Sequence, residues 1–269
     1  MTHDRSIDYG HESSASFAAL TDSFRPVALA IVDRLPALTP HAQVVDLACG
    51  PGEPSLSVVE RYPEVELLGV DTSEDMLAIA RARAAGRANV RFANMDMEEL
   101  DLPPDSVDAV VSRFGFLALE DIPRSAAEFA RIARPGCAYS IAIWDRLELN
   151  TVASASIESL RGLVDDALLP PLDKLDARAA EALPKTALTQ VGVTELRTEL
   201  FSWSTPVDGL EPLWSMLTGP GIWQSAVSSL DAGTVAELRR RYSARLKAYA
   251  ATDGTYLIPS TCRLLWGRT

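Results

Sequence analysis

The residues with the clearest chemical potential surround a short glycine turn at positions 46–53. Asp46 precedes the turn, Gly50 and Gly52 form it, and Glu53 follows it. Glycines let a ligand approach the backbone closely, and the start of the next helix offers free N–H groups. The Asp46 carboxylate suits an ammonium or amide partner, reached directly or through water, although it could also simply cap its own loop. The turn therefore predicts a site for a small ligand.

The turn is a poor match to a dinucleotide-binding loop. That fingerprint has a third glycine where this chain has Ser55. Glu53 is expected in the first turn of the following helix, where a pyrophosphate would lie, and a carboxylate beside a phosphate is unfavourable. A nucleoside that carries positive charge instead of phosphate fits both residues better. An NAD-binding oxidoreductase is accordingly disfavoured.

Further acidic residues stand at the ends of the next two predicted strands. Asp71 ends the second strand, where a carboxylate can accept both hydroxyls of a ribose. Asp96 follows the third strand and could accept an adenine amino group, although its acidic neighbours are also typical of a solvated loop. Met76 and Met97 could pack on the faces of the adenine ring. With Asp46, these residues would cover an amino-acid tail, a ribose and an adenine.

The elements that must position these residues alternate between strands and helices up to residue 144. Apolar runs predict strands, and amphipathic segments between them predict helices, so the pattern indicates a parallel sheet covered on both faces. The predicted strands are 42–48, 66–70, 90–94, 107–112 and 138–144, and the predicted helices are 13–38, 54–61, 73–84 and 122–134. Pro26 could kink or split the first of these helices, and Ser73 is expected to cap the third.

Beyond residue 144 the alternation ends. The sequence predicts an irregular helical insertion at 146–175, a helix at 179–191, a strand at 195–203, helices within 207–252 and a last strand at 254–266. Within the second helical stretch, an apolar stripe that we interpret as packing recurs at Val235, Leu238, Tyr242, Leu246 and Tyr249. The two helical stretches are mostly apolar, and we expect them to cap the carboxyl edge of the sheet. Such a cap favours a small, partly aromatic or apolar substrate.

Four successive segments together resemble a known family. They are VVDLACGPGEPSL, LLGVDTSEDMLAIARARA, FANMDMEELDLPPDSVDAVVSR and IARPGCAYSIAIWD. In this order they resemble the motifs of class I S-adenosylmethionine-dependent methyltransferases, in a small-molecule branch similar to ubiquinone/menaquinone C-methyltransferases. The resemblance covers about residues 42–145. It implies a methyltransferase that uses S-adenosyl-L-methionine and acts on a small molecule, with secondary metabolism, such as antibiotic biosynthesis, as the expected setting.

The resemblance also implies a fold. It is an α/β, Rossmann-like, seven-stranded and mostly parallel sheet with helices on both faces, an antiparallel last strand and helical cap insertions. The whole chain would be a single domain. Its expected parts are an N-terminal helical lid at 1–41, a cofactor-binding core at 42–145, substrate cap insertions at 146–175 and 207–252, and the last strand at 253–269.

The same resemblance assigns residues to roles. The cofactor-binding set is Asp46, Ala48, Gly50, Gly52, Asp71, Thr72, Met76, Asp96, Met97, Ser112 and Arg113, and the substrate-binding set is Phe17, Phe114 and Trp144. Two departures from the family pattern stand out. Ala48 lies where relatives often have glycine, and residues 116–118 (Phe-Leu-Ala) lie where relatives often place a histidine.

Methyl transfer from a sulfonium needs little acid–base help. The sulfonium carbon is already electrophilic, so the protein mainly places a nucleophile in line with the S–CH3 bond and excludes water. Histidine is absent beyond residue 41. A general base, if one is used, would come from His11, Tyr9 or a carboxylate such as Asp145. No metal site is predicted.

Other functions stay open on the sequence. The same fold with bound cofactor could catalyse a non-methylating cyclisation or isomerisation, or could merely sense the cofactor. The net charge of −12 argues against a nucleic-acid partner, and no apolar run is long enough to span a bilayer. We therefore expect a cytoplasmic protein with a small-molecule substrate and no membrane partner, as a monomer or homodimer.

Overall fold

The computed structural model describes residues 21–115, 121–169, 182–193, 195–219 and 223–269. The chain divides into two compact units. Unit 1 comprises Met1–Trp144, Ala180–Phe201 and Cys262–Thr269, and unit 2 comprises Asp145–Ala179 and Ser202–Thr261. The predicted insertions at 146–175 and 207–252 both fall within unit 2.

Seven strands form one sheet in the described part of the chain. They are β1 Gln43–Leu47, β2 Glu66–Asp71, β3 Val90–Asn94, β4 Val107–Arg113, β5 Ala133–Trp144, β6 Glu195–Asp208 and β7 Thr255–Arg268. The order across the sheet is β3-β2-β1-β4-β5-β7-β6. The strands β1 to β5 pair in parallel, and β7 runs antiparallel to β5. The predicted seven-stranded sheet with an antiparallel last strand is confirmed.

The strand order reverses at β1, which pairs with β2 on one side and β4 on the other. In open α/β sheets, ligands bind at the carboxyl edge beside such a reversal. The glycine turn leaves β1 at this edge, and the segments after β2, β3, β4 and β5 reach the same edge. The topology therefore gathers the acidic and aromatic residues singled out above.

Helices occupy most of the remaining described chain. They are α1 Arg25–Asp33, α2 Ser55–Arg61, α3 Glu74–Arg83, α4 Ile122–Ile132, α5 Thr151–Leu160, α6 Ala182–Gln190, α7 Glu211–Thr218, α8 Gln224–Ser228 and α9 Ala232–Leu246. No helix within the described ranges has the length and apolarity that crossing a bilayer requires. As predicted, the Ser73 hydroxyl caps α3 by accepting a hydrogen bond from the Met76 amide.

Two predicted boundaries are wrong for identifiable reasons. The described part of the expected helix 13–38 is interrupted at residues 23–24: Thr21 and Asp22 are helical, and α1 then runs from Arg25 to Asp33. Pro26 lies in the first turn of α1, where a missing N–H costs nothing. The expected helix 122–134 ends at Ile132, and β5 begins at once with Ala133. The pairing of β5 with β4 shifts register between Val107 and Ala109.

Each unit has its own hydrophobic core. In unit 1 it lies on the sheet and α4, with Leu47, Val110, Phe129 and Ile141 among its buried members. In unit 2 the predicted stripe of α9 is confirmed as packing, because Leu238, Tyr242 and Leu246 are fully buried among the residues of α5, α7 and α8.

Candidate functional site

The glycine turn bends because three of its residues adopt left-handed backbone conformations. Ala48, Gly50 and Gly52 have φ values of 54°, 52° and 106°. Alanine tolerates that region poorly, which explains why a glycine suits the position of Ala48 in the resembled family. A Cβ atom added to Gly50 would meet no atom within 4 Å. The turn therefore leaves open space directly against its backbone.

Asp46 lies at the floor of the turn and is fully buried. Its Oδ2 accepts hydrogen bonds from the Ser55 amide at 2.9 Å and the Ser55 hydroxyl at 2.6 Å. Its Oδ1 has no hydrogen-bond partner among the described residues. Burial raises the pKa of Asp46 to about 7, against the opposing effects of Ser55 and the positive charge of Arg113. This carboxyl group has the capacity to accept one further donor.

Asp71 connects the turn to β2 and α3. Its Oδ2 accepts a hydrogen bond from the Gly50 amide at 2.8 Å, and its Oδ1 accepts one from the Ser73 amide at 2.9 Å. Burial raises the pKa of Asp71, while these amides act in the opposite direction. Each carboxylate oxygen can accept more than one hydrogen bond, so Asp71 retains capacity for ribose hydroxyls. Next to it, Thr72 is exposed and Met76 is buried.

The loop after β3 contains both exposed and buried acidic residues. Asp96 is half-buried, and its Oδ1 accepts a hydrogen bond from the Glu98 amide at 2.8 Å. Met97 belongs to the core of unit 1. Glu98 is buried, and its Oε1 accepts a hydrogen bond from the Asp121 amide at 3.0 Å, at the start of α4. Nothing in the sequence around Glu98 distinguishes it from its exposed neighbour Glu99.

Ser112 and Arg113 end β4 beside the turn. The Ser112 hydroxyl donates to the Leu47 carbonyl at 2.8 Å, and the Arg113 guanidinium donates to the Thr21 carbonyl at 3.1 Å. Both side chains are buried. Burial lowers the pKa of Arg113, and the charges of Glu53 and Asp46 oppose that effect. Arg113 thus lies in the field of both carboxylates of the turn.

Glu53 is placed differently from the prediction. The helix α2 begins at Ser55, so Glu53 precedes the first helical turn and does not lie within it. Its carboxylate accepts a 2.7 Å hydrogen bond from the Ser57 hydroxyl and pairs with Arg25 at 3.3 Å. Glu53 still places a carboxylate next to the turn, as predicted. Arg25 balances part of its negative charge, and nothing in the sequence linked these two residues.

Three aromatic rings meet at the same edge of the sheet. Phe114 and Trp144 follow or end β4 and β5, and their rings stack with centroids 4.0 Å apart and planes 4° apart. Phe24 presents edge-to-face contacts to both, at 5.7 Å and 5.4 Å. All three are half-buried. The structure therefore brings together two of the predicted substrate-binding residues and adds Phe24.

The remaining predicted residues are less informative. Tyr9, His11, Phe17 and residues 116–118 lie outside the described residues. Asp145 is the first residue of unit 2, where it is buried and accepts a hydrogen bond from the Arg146 amide at 2.8 Å. The roles of these residues as a general base or in substrate binding stay predictions.

The described residues fit the cofactor implied by the resemblance. Its amino-acid part carries an ammonium group, for which the Asp46 Oδ1 supplies an unpaired acceptor at the turn. The open space at Gly50 allows close approach to the backbone, and Asp71 stands where a ribose would lie. The residues that would hold it are therefore those around the turn, with Asp96 at the end that would take the adenine.

Comparisons with known proteins agree with this geometry. A family described as "Methyltransferase domain" matches residues 44–136. The trans-aconitate 2-methyltransferase of Methylobacterium nodulans is 31% identical over 265 residues, which cover 91% of this chain and 93% of that relative. The demethylmenaquinone methyltransferase of Thermus thermophilus is 39% identical over 95 residues, but they cover 35% of this chain and 43% of that relative.

A solved structure gives the same fold. The phosphoethanolamine N-methyltransferase 2 of Haemonchus contortus, in complex with S-adenosyl-L-methionine, aligns with a TM-score of 0.60 at 15% identity, covering 99% of this chain and 60% of that one. At this identity the likeness concerns the fold alone. The relative from Methylobacterium is matched along nearly its whole length, and the similarity to it is not confined to the cofactor-binding core.

Proposed function

Because the chain belongs to the class I S-adenosylmethionine-dependent methyltransferases, we propose that it transfers a methyl group from that cofactor directly to a small-molecule acceptor. The observation that carries the proposal is the glycine turn. There, an unpaired oxygen of the buried Asp46 and the open space over Gly50 are found together. This combination suits a ligand with a positive charge and no phosphate.

In this proposal, the side chains of the site bind and orient the cofactor and the acceptor, and they form no covalent bond with either. When bound, S-adenosylmethionine would supply an electrophilic methyl group to the acceptor, and the electron pair of the carbon–sulfur bond would remain on sulfur. Asp46 would hold the ammonium group and Asp71 the ribose, which fixes the direction of the methyl group. The aromatic rings of Phe114 and Trp144 would shield the reacting atoms from water.

For the acceptor we propose a carboxylate oxygen. The Methylobacterium relative, which matches 91% of this chain, is named for trans-aconitate, a small unsaturated acid. A carboxylate is already anionic near neutral pH, so it needs no general base to act as a nucleophile. This agrees with a sequence in which histidine occurs only at positions 3, 11 and 41. The half-buried rings of Phe24, Phe114 and Trp144 offer apolar contacts for the unsaturated part of such an acid.

The test is an activity screen with a labelled methyl donor. Purified protein would be incubated with S-adenosylmethionine carrying an isotopic methyl label and with a panel of small carboxylic acids that includes trans-aconitate. Mass spectrometry would then detect methylated product together with S-adenosylhomocysteine. Labelled product on a carboxylate supports the proposal, and label on nitrogen or carbon of added amines or phenols would contradict the acceptor class. An altered product that lacks the label would favour cyclisation or isomerisation instead.

Asp71 provides a prediction for the binding step. We expect Asp71→Asn to weaken binding of S-adenosylhomocysteine by roughly 10- to 100-fold, because a charge-assisted acceptor for the ribose is lost. Isothermal titration calorimetry would measure this, with NAD as the competing ligand class. The matched control is Asp75→Asn, which removes a carboxylate within the first turn of α3. Equal affinities for the two variants, or a preference for NAD, would contradict the ribose assignment.

A further inference from the structure

The segment 21–25, which ends at the first residue of α1, is held against the glycine turn by three arginines. The Arg113 guanidinium donates to the Thr21 carbonyl at 3.1 Å. Arg83 donates to both carboxylate oxygens of Asp22, at 2.8 Å and 3.0 Å, and also to the Pro51 carbonyl at 3.4 Å. Arg25 pairs with Glu53 at 3.3 Å. The segment is thus joined to β4, to α3 and to the turn itself.

Arg113 differs from the other two arginines because it is buried with only 7% of its surface exposed. Its guanidinium lies in the field of two carboxylates of the turn, Glu53 and Asp46, which are themselves buried. The charge of Glu53 makes it harder for Asp46 to carry charge, and the cation opposes that effect. A buried cation without such partners would be strongly unfavourable, so the two carboxylates stabilise the Arg113 cation despite their mutual repulsion.

Arg113 is also next to the aromatic group in the chain. Phe114 directly follows Arg113 in the chain and has a left-handed backbone conformation, with φ of 65°. Its ring contacts that of Phe24, which belongs to the segment whose Thr21 carbonyl Arg113 holds. Arg113 therefore interacts by charge with the glycine turn and by a hydrogen bond with the segment 21–25, and it directly precedes Phe114 of the aromatic group.

We propose that Arg113 is a positioning residue that keeps Asp46 available to a cationic ligand and fixes the segment 21–25 beside the aromatic rings, so that the cofactor and acceptor subsites form together. This inference rests on the proposed function, since it takes the ligand of Asp46 to be the ammonium group of the cofactor. It departs from the sequence-based prediction, in which Arg113 would contact the cofactor itself.

The proposal can be tested through the pH dependence of ligand affinity, because Asp46 ionises. The groups that face this carboxyl are Ser55 from α2, Glu53 and the Cys49 thiol from the turn, and Arg113 from β4. Its pKa of about 7 places its titration within an accessible range, so affinity for a cationic ligand should fall as pH drops through that value. Removing the positive charge of Arg113 must raise the pKa of Asp46 and move the midpoint of this fall to higher pH.

The experiment measures the affinity of the full chain for S-adenosylhomocysteine by calorimetry between about pH 6 and pH 9. Wild type would be compared with Arg113→Met, which keeps much of the apolar stem, and Arg113→Lys, which keeps the charge. We expect Arg113→Met to bind about tenfold or more weakly near pH 7.5 and to approach wild-type affinity near pH 9. We expect Arg113→Lys to restore the wild-type midpoint. The control is Arg268→Met, since Arg268 of β7 pairs with Ala138 in the middle of β5, away from the Trp144 end.

The near-UV circular dichroism of Trp144 tests the aromatic part of the proposal. The contribution of Trp144 is the difference between wild type and Trp144→Phe. We expect Arg113→Met to reduce it, because the edge of Phe24 would no longer be fixed against the stacked pair.

Three outcomes would overturn the proposal. A uniform loss of affinity at every pH in Arg113→Met, with no shift of the midpoint, would show a merely structural role. A Trp144 signal that is unchanged in Arg113→Met would show that the segment 21–25 is held without Arg113. Absence of S-adenosylhomocysteine binding in wild type would overturn the proposed function as well, and so differs from a failure of the inference alone.

Discussion

The burial of Asp46 carries a cost for the folded protein. The pKa of this carboxyl is raised from 3.8 to about 7, so the folded state holds the proton more firmly than the unfolded chain between these values. The contribution of Asp46 to the free energy of unfolding therefore decreases as pH rises from about 4 to about 7, and stays low above that. A protein that folds for stability alone would place an apolar residue there, so a ligand offers the better explanation.

Asp46→Asn tests this cost in the protein without ligand. The amide retains an oxygen for the hydrogen bonds from Ser55 but does not titrate. We expect the variant to gain stability relative to wild type as pH rises, by at most about 4 kcal/mol between about pH 4 and pH 8. Urea unfolding at several pH values would measure the difference, with Asp75→Asn as the control. A stability difference that does not change with pH would contradict a titrating Asp46.

For single residues, the sequence predicts the position along a strand or helix better than it predicts the contacts of the side chain. Asp46 and Asp71 follow from the ends of two apolar runs, and the structure places them on either side of the same turn. The pairing of Glu53 with Arg25 spans 28 positions, and that of Glu98 with the Asp121 amide spans 23. Such contacts depend on how helices pack, for which local patterns contain no signal.

At the scale of elements, Gly50 in the turn and Gly69 in β2 are glycines for different structural reasons. Gly50 faces open space, whereas a Cβ atom on Gly69 of β2 would come within 2.6 Å of the Phe92 ring and 3.0 Å of the Cys49 sulfur. The first position is therefore suited to close approach by a ligand. The second is required by packing between neighbouring strands.

We expect Gly50→Ala and Gly69→Ala to separate binding from stability. Gly50→Ala should lose about 1–2 kcal/mol of stability through its left-handed backbone, but should weaken S-adenosylhomocysteine binding at least tenfold by filling the space above the turn. Gly69→Ala should lower the melting temperature more, by overpacking the sheet. Calorimetry and thermal unfolding would measure both effects. Unchanged affinity in Gly50→Ala would contradict a cofactor cradle at this position.

Element boundaries were harder to predict than element types. Strand and helix alternation gave the first five strands in order, and the periodicity at 235–249 gave the buried face of α9. The change from α4 to β5 occurs without a connecting loop, so the helical pattern and the strand pattern run together at Ile132 and Ala133. Pro26 was ambiguous because a proline either breaks a helix or begins one, and only the helix start at Arg25 decides between them.

At the scale of the whole molecule, the chain consists of two units with separate cores. Unit 1 contains the glycine turn, the acidic residues after β2 and β3, and the aromatic rings. Unit 2 contains a core built largely from α5, α7, α8 and α9. The alternation of strands and helices in the sequence predicted the sheet of unit 1. For the helical insertions, the sequence offered only the periodicity of apolar residues. The role of unit 2 as a substrate cap stays a prediction.

Hydrogen exchange with and without ligand would show how the two units respond to the cofactor. Amides that exchange through local opening report the stability of their own surroundings, and a ligand protects those whose opening breaks its site. With S-adenosylhomocysteine at about 100 times its Kd, we expect exchange to slow by up to about 100-fold at the amides of Gly50, Ser55 and Ser73, which donate to Asp46 or Asp71. In unit 2, the amides along α9 should keep their rates, because this helix packs within a separate core. Equal slowing in α9 and in the turn would contradict a cofactor site that lies within unit 1 alone, and would instead indicate that ligand binding stabilises both units together.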